Sequence, residues 1–236
     1  MALAFEQRGW TLENVLGRAD DASGAAVGVD LCLIATPDAA IAHVAAHIIP
    51  SPTTVLAHLS GALGLDVLEP HQRRASLHPL VSLAGGAPGA AALLGGAWFA
   101  VSGDPLATVA VADLGGHTIV VDEARRAAYH AAACVASNHT VTLLAQVERI
   151  AAAAGVPLAA YLDLVRATID NVSALGPAAA LTGPVARGDW ATVERHLRSI
   201  DPGEAPLYLA LVDATATLAG RQLPESLRTL EVAACR

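Results

Sequence analysis

The sequence contains no lysine and no run of basic residues. All 14 basic residues are arginine, against 22 acidic residues, and the formal net charge is −8. Proteins that bind nucleic acid or an anionic membrane surface usually present a basic patch. The composition therefore argues against nucleic acid and membrane surfaces as partners.

Cysteine is also scarce: Cys32, Cys134 and Cys235 lie far apart and form no CxxC pair. This spacing is typical of reduced thiols in a cytoplasm rather than of a disulfide or zinc framework. A signal peptide is not apparent either, because Glu6 and Arg8 interrupt the N-terminal apolar stretch. We therefore expect a cytoplasmic protein.

Residues 75–103 carry no charged side chain apart from a histidine, and such a stretch is long enough to span a membrane. The stretch is rich in glycine and contains two prolines, so a helix there would be broken. We expect a loop followed by a strand at Ala97–Ser102, and no membrane span.

The first half of the chain alternates short apolar runs with helical patterns, which predicts a mostly parallel sheet with helices on its faces. The helices are expected at Met1–Gly9, Asp38–Ile49 and Pro105–Gly115. The strands are expected at Thr11–Leu16, Val29–Thr36, Thr53–Ser60, Ala75–His78, Ala97–Ser102 and His117–Asp122.

After Asp122 only helical patterns remain. Asp189 is well placed to cap one of these helices. The helices are expected at Glu123–Ala154, Pro157–Leu175, Trp190–Ser199, Pro206–Leu218 and Pro224–Ala233. The second of them has an apolar stripe formed by Leu158, Leu162, Val165, Ile169 and Val172. We therefore predict an α/β domain at 1–122 and an all-helical domain at 123–236, with a ligand cleft between them.

Four polar residues recur at four-residue intervals on the first of these helices: His130, Cys134, Asn138 and Thr142. Side chains at this spacing lie along one helix face. The helix is rich in Ala, Val and Leu and should be buried, where polar groups are costly unless they have partners. The stripe therefore predicts a polar cavity.

Six motifs resemble a bacterial family that joins a Rossmann-like domain to a helical domain of unknown function. They are ATPDAAI (35–41), HLSGA (58–62), SLHPL (76–80), FAVSGD (99–104), YHAAACVASN (129–138) and LTGPVARGDWATVERHL (181–197). The architecture is related to ketopantoate reductase, pyrroline-5-carboxylate reductase and deazaflavin:NADP oxidoreductases. The resemblance implies a Rossmann-like sheet, a C-terminal domain similar to that of 6-phosphogluconate dehydrogenase, and a homodimer.

The chain departs from this family at its beginning, because it contains no GxGxxG loop to hold a dinucleotide pyrophosphate. Met1–Gly9 resembles the helix that follows such a loop, and Thr11–Arg18 resembles the second strand. We therefore expect that the chain lacks the first strand, through a misplaced start or through loss in a degenerate paralogue.

The resemblance also suggests site residues. In ketopantoate reductase-like enzymes the matching helix carries a catalytic Lys and an Asn eight residues later, so His130 would replace the Lys as proton donor and Asn138 would orient the substrate. Histidine suits this task because its pKa lies near neutral pH. His130 could instead only assist domain packing, and Tyr129 is expected to pack at the domain boundary.

Residues at the carboxyl ends of the predicted strands should line the cofactor, NADP or NAD. These are Thr36, Pro37, Ser60, Gly61 and His78, and Arg18 would meet a 2′-phosphate. Ordinary turn and capping roles explain Thr36 and Ser60 equally well.

Three residues of the helical half are candidates for substrate binding: Asn171, Thr182 and Arg187. A guanidinium suits a bidentate grip on a carboxylate, although Arg187 could instead pair with Asp189 or Glu194. His43 and His47 have the i, i+4 spacing of metal ligands, but no HExxH motif accompanies them, and we expect no metal.

The sequence thus predicts an NAD(P)-dependent oxidoreductase that reduces a small 2-oxo acid, as ketopantoate reductase does, or an imine. The competing prediction is a non-catalytic paralogue that keeps the fold and has lost dinucleotide binding, because the glycine loop is missing.

Overall fold

The computed structural model describes residues 1–83 and 85–228. The chain divides into two compact units, Met1–Asn138 and His139–Arg236. The first unit contains the sheet, and the second is helical. The domain boundary that we place after Asp122, where the strand patterns stop, stays a prediction.

The first unit is built on one five-stranded sheet. Its strands are β1 (Leu31–Ile34), β2 (Val55–His58), β3 (Arg74–Pro79), β4 (Trp98–Gly103) and β5 (His117–Val120), and they lie in this order. β3 and β4 are antiparallel, whereas the other neighbours are parallel. The predicted fold class, a mostly parallel Rossmann-like sheet followed by helices, is confirmed. Because β1, β2 and β3 run in the same direction, their carboxyl ends meet at one edge of the sheet.

Helices cover both faces of this sheet. They are α1 (Ala2–Glu6), α2 (Asp38–His47), α3 (Gly86–Leu94), α4 (Leu106–Asp113) and α5 (Arg126–Cys134). Leu77 and Phe99 point into one core, which also contains buried residues of α1, α3 and α4. Leu56 points into a second core, which contains Ile41 and Ala45 of α2.

The second face changes from apolar to polar toward the carboxyl end of β3. Side chains alternate between the two faces of a strand. His58 therefore shares the face of Leu56, and Ser76 and His78 lie on the face opposite Leu77. Ser102 is paired directly with Ser76 across the strands. A row of polar side chains thus replaces the apolar core at this end of the sheet.

Two elements of the first unit differ from the predictions. Residues 11–16 form no strand and are exposed, since no neighbouring strand pairs with their backbone. The loop expected before β4 is in part the helix α3. Gly85, Gly86 and Gly95 lie at the two ends of this helix, and Gly89 is buried within it. Among the described residues, no helix is both long and apolar enough to cross a membrane.

Six α-helices of the second unit have both of their ends among the described residues. They are α6 (Thr140–Ala153), α7 (Leu158–Leu175), α8 (Pro177–Ala180), α9 (Pro184–Arg187), α10 (Trp190–Ser199) and α11 (Ala205–Leu218). Residues 225–228 are helical, and the predicted helix beyond 228 lies outside the described residues. Val193 and Val212 are buried in the core of this unit. Asp189 caps α10, as predicted, because its Oδ1 accepts a hydrogen bond from the Thr192 amide at 3.1 Å.

The helix predicted at Glu123–Ala154 is interrupted. A π-helical segment, Val135–His139, separates α5 from α6. The wider π turn changes the angle between successive side chains, so the four-residue stripe does not continue along one face. The expectation of a buried helix is wrong as well: α5 is described throughout and buries only Arg126. Asn138 and Thr142 are exposed.

Candidate functional site

Three aromatic side chains meet where β3 ends beside α5. The Tyr129 hydroxyl lies 2.6 Å from His78 Nδ1, at hydrogen-bond distance, and the two rings are perpendicular, at 88°. The ring of His130 lies edge-on to His78, with the ring centroids 6.0 Å apart. We call these three residues the His–Tyr cluster.

Gly61 makes room for the two imidazoles. It follows β2, the strand next to β3 in the sheet. A Cβ at this position would lie 2.7 Å from His78 Cε1 and 2.9 Å from His130 Cδ2, closer than a real Cβ approaches another atom. The glycine predicted at the cofactor side is therefore required for the packing of the cluster itself.

Burial lowers the pKa of His78, and the electrostatic effects of the neighbouring His130 and Arg126 lower that pKa further. Asp38 raises the pKa of His78, and His58 lowers it. Burial also raises the pKa of the Tyr129 hydroxyl. His78 is therefore neutral at neutral pH, and the protonated Tyr129 hydroxyl can donate its hydrogen to Nδ1.

His58, on the neighbouring strand, is fully buried and has a structural role. The Ser60 amide donates to its Nδ1 at 3.2 Å, so Nδ1 carries no proton. Nε2 then donates to the Gly64 carbonyl at 3.1 Å. Burial lowers the pKa of His58, and both ring nitrogens are used in holding the loop that contains Gly61.

The Ser60 hydroxyl closes the same loop. It donates to Asp38 Oδ2 at 2.8 Å and accepts from the amides of Ala62 and Leu63, both at 3.1 Å. These bonds tie the loop after β2 to the first turn of α2. They agree with the turn role of Ser60, and its predicted contact with a cofactor stays a prediction.

The other predicted site residues are exposed. Thr36 and Pro37 lie between β1 and α2, at the same sheet edge as His78, and Arg18 lies in a turn. Asn138 belongs to the π-helical segment. The candidates for substrate binding lie in the second unit: Asn171 on α7, Thr182 before α9, and Arg187 at the end of α9.

The residues at the sheet edge fit a dinucleotide in one respect. Thr36 and Pro37 are exposed beside the first turn of α2, at the carboxyl end of a parallel strand, which is where nucleotides bind in such sheets. Gly61 does not offer a cradle, because the cluster fills the space around it. Thr36 and Pro37 thus lie where they could hold the cofactor, and the contact of Arg18 with a phosphate group stays a prediction.

His43 and His47 are neighbours on α2. Their rings are 4.5 Å apart, but no group of three or more His, Cys, Asp or Glu side chains that could hold a metal ion exists among the described residues.

The sequence predicts only a packing role for Tyr129 and does not single out Arg126. Arg126 is 3% exposed and lies three and four positions before Tyr129 and His130, on the same helix face. In the sequence, an arginine at the start of an apolar helix suggests a side chain that is exposed to solvent. Only the fold shows that the Arg126 side chain reaches the sheet.

Comparison with known proteins places the chain in a recognisable architecture. Residues 99–215 match the family described as a domain of unknown function, DUF2520. This segment contains β4, β5, α5 and most of the helical unit. The resemblance indicated by the six motifs is thereby confirmed. None of the curated proteins is significantly similar to the chain in sequence.

Solved structures support the same architecture. Protein TM1727 of Thermotoga maritima is 29% identical, with 81% of this chain and 80% of that chain covered and a TM-score of 0.71. A Bacteroides fragilis protein assigned provisionally as an NADP oxidoreductase is 19% identical, with 92% of both chains covered and a TM-score of 0.76. A reductive aminase from Aspergillus terreus, solved with NADPH4, cyclohexanone and allyl amine, is 13% identical, with 91% of this chain and 76% of that chain covered and a TM-score of 0.51. The chain therefore shares the fold of these proteins, a Rossmann-like sheet followed by helices.

Proposed function

We propose that this protein is an NAD(P)-dependent oxidoreductase whose proton-transfer site is the His–Tyr cluster. The observation that carries the proposal is the 2.6 Å contact between His78 and Tyr129, with His130 beside them, at the carboxyl end of β3. Ligands gather at this edge in sheets of this kind. Titratable groups that are packed together there favour catalysis over simple packing.

His130 is the proton donor in this proposal. When bound, NADPH or NADH supplies a hydride to the substrate carbon. His130 is half-buried and donates a proton to the oxygen or nitrogen of the reduced bond. Tyr129 donates a hydrogen bond to the neutral His78, and the edge of the His78 ring fixes the orientation of His130. The cluster thus supplies an oriented acid.

The substrate that we propose is a small 2-oxo acid or an imine. Arg187 would bind a carboxylate, with Asn171 and Thr182 as further contacts, and Asn138 would orient the reacting group. The cytoplasmic location predicted from the cysteines belongs to the same proposal.

NADPH binding by the 236-residue chain tests this function. We expect a saturable change in NADPH fluorescence on titration with protein. Thr36→Glu places a negative charge beside the proposed cofactor, and repulsion of about 1 kcal/mol would weaken binding about fivefold. Thr36 precedes α2, where a negative charge does not disturb the helix.

Thr108→Glu is the matched control, because Thr108 is exposed on the first turn of α4, a helix that packs on the other face of the sheet. This variant should bind NADPH as the wild type does. Absence of saturable binding of NADPH and NADH by the wild type would refute the proposed function. Equal weakening by the two substitutions would refute the position of the cofactor.

We also propose a homodimer, and α7 supplies the support. This helix is described throughout, and none of its eighteen residues is buried. Ile169 belongs to the predicted apolar stripe, yet it is 60% exposed, and Leu164 is 63% exposed. A second copy would cover these side chains. Sedimentation should show a dimer that Ile169→Asp dissociates, and a monomeric wild type would contradict the proposal.

A further inference from the structure

Arg126 holds the start of α5 against the sheet. Its Nη2 donates to Ser76 Oγ at 2.9 Å and to Ser102 Oγ at 2.8 Å. The two serines face each other across β3 and β4, and their oxygens are 2.9 Å apart. A single guanidinium nitrogen thus connects one helix to two antiparallel strands.

The other guanidinium nitrogens show how closely this residue is enclosed. Nε donates to Glu123 Oε2 at 3.3 Å. The carboxylate of Glu123 also lies so close to Gly64 that a Cβ there would overlap it. Nη1 is buried and has no hydrogen-bond partner among the described residues. A buried arginine with an unused donor is costly to keep, so packing alone is a poor reason for its presence.

Arg126 and the His–Tyr cluster join the same face of α5 to the same face of β3. Ser76 and His78 are two residues apart and lie on one face of β3. Arg126 and Tyr129 are three residues apart and lie on one face of α5. Each residue of the helix pair contacts one residue of the strand pair. Two parallel polar contacts therefore fix both the position and the rotation of the first turns of α5.

We propose that Arg126 is a positioning residue, which holds α5 so that Tyr129 and His130 meet His78 at the strand end. This inference rests on the proposed function for its effect on turnover, but its geometric part can be tested without a substrate. The residue contacts neither the substrate nor the reacting atoms in this proposal. It acts through the helix that carries them.

Histidine ¹⁵N NMR of the 236-residue protein tests the proposal, because the Nδ1 shift of His78 reports its hydrogen bond with Tyr129. In Arg126→Met the bond should loosen and the Nδ1 shift should change. The pKa of His78 should rise, since a nearby positive charge is removed. His130, Asp38 and His58 also face this imidazole and are unchanged in the variant.

Turnover gives the second readout. We expect kcat to fall about 10- to 100-fold in Arg126→Met with little change in KM, because a misplaced acid affects the chemical step. Arg126→Lys keeps the charge, but its shorter side chain has one nitrogen, which cannot occupy both the position of Nη2 beside the two serines and that of Nε beside Glu123. It should therefore keep the low pKa of His78 and still show the altered Nδ1 shift.

Arg149→Met is the matched control, since Arg149 forms a two-bond ion pair with Glu204 in the second unit. It should leave the His78 signals unchanged. An unchanged Nδ1 shift in Arg126→Met, or its complete restoration by lysine, would overturn the positioning role.

If Arg126→Met does not fold, Ser102→Ala removes one acceptor and keeps the charge, and a wild-type His78 shift there would equally overturn the proposal. A protein whose NMR signals change as expected but which binds no dinucleotide would refute the proposed function and leave the positioning role intact.

Discussion

Each unit of this protein contains a histidine that is hydrogen-bonded through Nδ1 to a tyrosine. In the first unit His78 and Tyr129 are 2.6 Å apart, and in the second His196 and Tyr208 are 2.7 Å apart. The rings are nearly perpendicular in both, at 88° and 84°. Burial raises the pKa of both tyrosines. As isolated pairs they are almost the same.

Their surroundings differ. His78 ends a strand, is half-buried and lies beside a second histidine, with Arg126 held nearby. His196 is exposed on α10, in a unit whose described residues form no strand. The geometry of a His–Tyr pair therefore does not define a functional site. What distinguishes the first pair is the concentration of further polar groups at the carboxyl edge of the sheet.

Among the substitutions that test the difference between the two His–Tyr pairs, His130→Ala should reduce turnover most. Loss of the proposed proton donor should lower kcat/KM for NADPH-dependent reduction about 10²- to 10⁴-fold. His139→Ala, which changes an exposed histidine on the π-helical segment, should leave turnover unchanged. Steady-state rates compare the two variants. Undiminished turnover in His130→Ala would remove His130 from the mechanism.

Gly61→Ala should have the next largest effect. The new methyl would displace the rings of His78 and His130, and a displacement of about 1 Å can cost about 100-fold in rate. Overpacking should also reduce the free energy of unfolding by about 1–3 kcal/mol. Gly24→Ala is the control, because a Cβ there meets no atom within 4 Å. Urea denaturation and rate measurements follow both effects, and a Gly61→Ala protein with wild-type rate would contradict the importance of this packing.

The smallest predicted effect is a pH dependence of stability. The pKa of His78 is lower in the folded protein than its ordinary value of about 6.5, so the unfolded chain binds more protons below that pH. This contribution to stability is complete above about pH 6.5 and decreases as the pH falls toward the folded pKa, by about 1.4 kcal/mol for each unit of lowering. His78→Gln should weaken this pH dependence.

His196→Gln provides the comparison with the second pair. It should retain the pH dependence of the wild type in urea denaturation at successive pH values. His58, whose pKa burial also lowers, should preserve part of the dependence in His78→Gln. An identical pH dependence in His78→Gln and the wild type would show that His78 titrates normally.

Much of the fold follows from local patterns in the sequence. Apolar runs predict all five strands, and the α10 bounds Trp190–Ser199 are predicted at both ends. Residues 11–16 look like a short strand because they include Leu12, Val15 and Leu16, but a strand also needs a neighbour, which a local pattern does not reveal. The glycines of residues 85–96 look like helix breakers, because the sequence does not show that most of them lie at the ends of α3 and that Gly89 is buried within it.

The site is predicted less completely. His78, Gly61 and His130 are all candidates from the sequence, and the fold brings them together. Their closeness depends on contacts between residues about 50 positions apart, such as His78 with Tyr129 and Ser76 with Arg126. No periodicity within one helix encodes such contacts. The four-residue spacing suggested one buried stripe of polar residues. The π-helical segment interrupts that stripe, and no feature of the sequence predicts the segment.

The most direct test of the account compares Tyr129→Phe with Tyr208→Phe. Each substitution removes one hydroxyl and one hydrogen bond to a histidine Nδ1, so their costs in stability should be similar, about 0.5–1.5 kcal/mol. We predict that kcat for NADPH-dependent reduction falls at least about tenfold in Tyr129→Phe and is unchanged in Tyr208→Phe. Equal kcat values in the two variants would contradict the claim that the His–Tyr cluster of the first unit is the proton-transfer site.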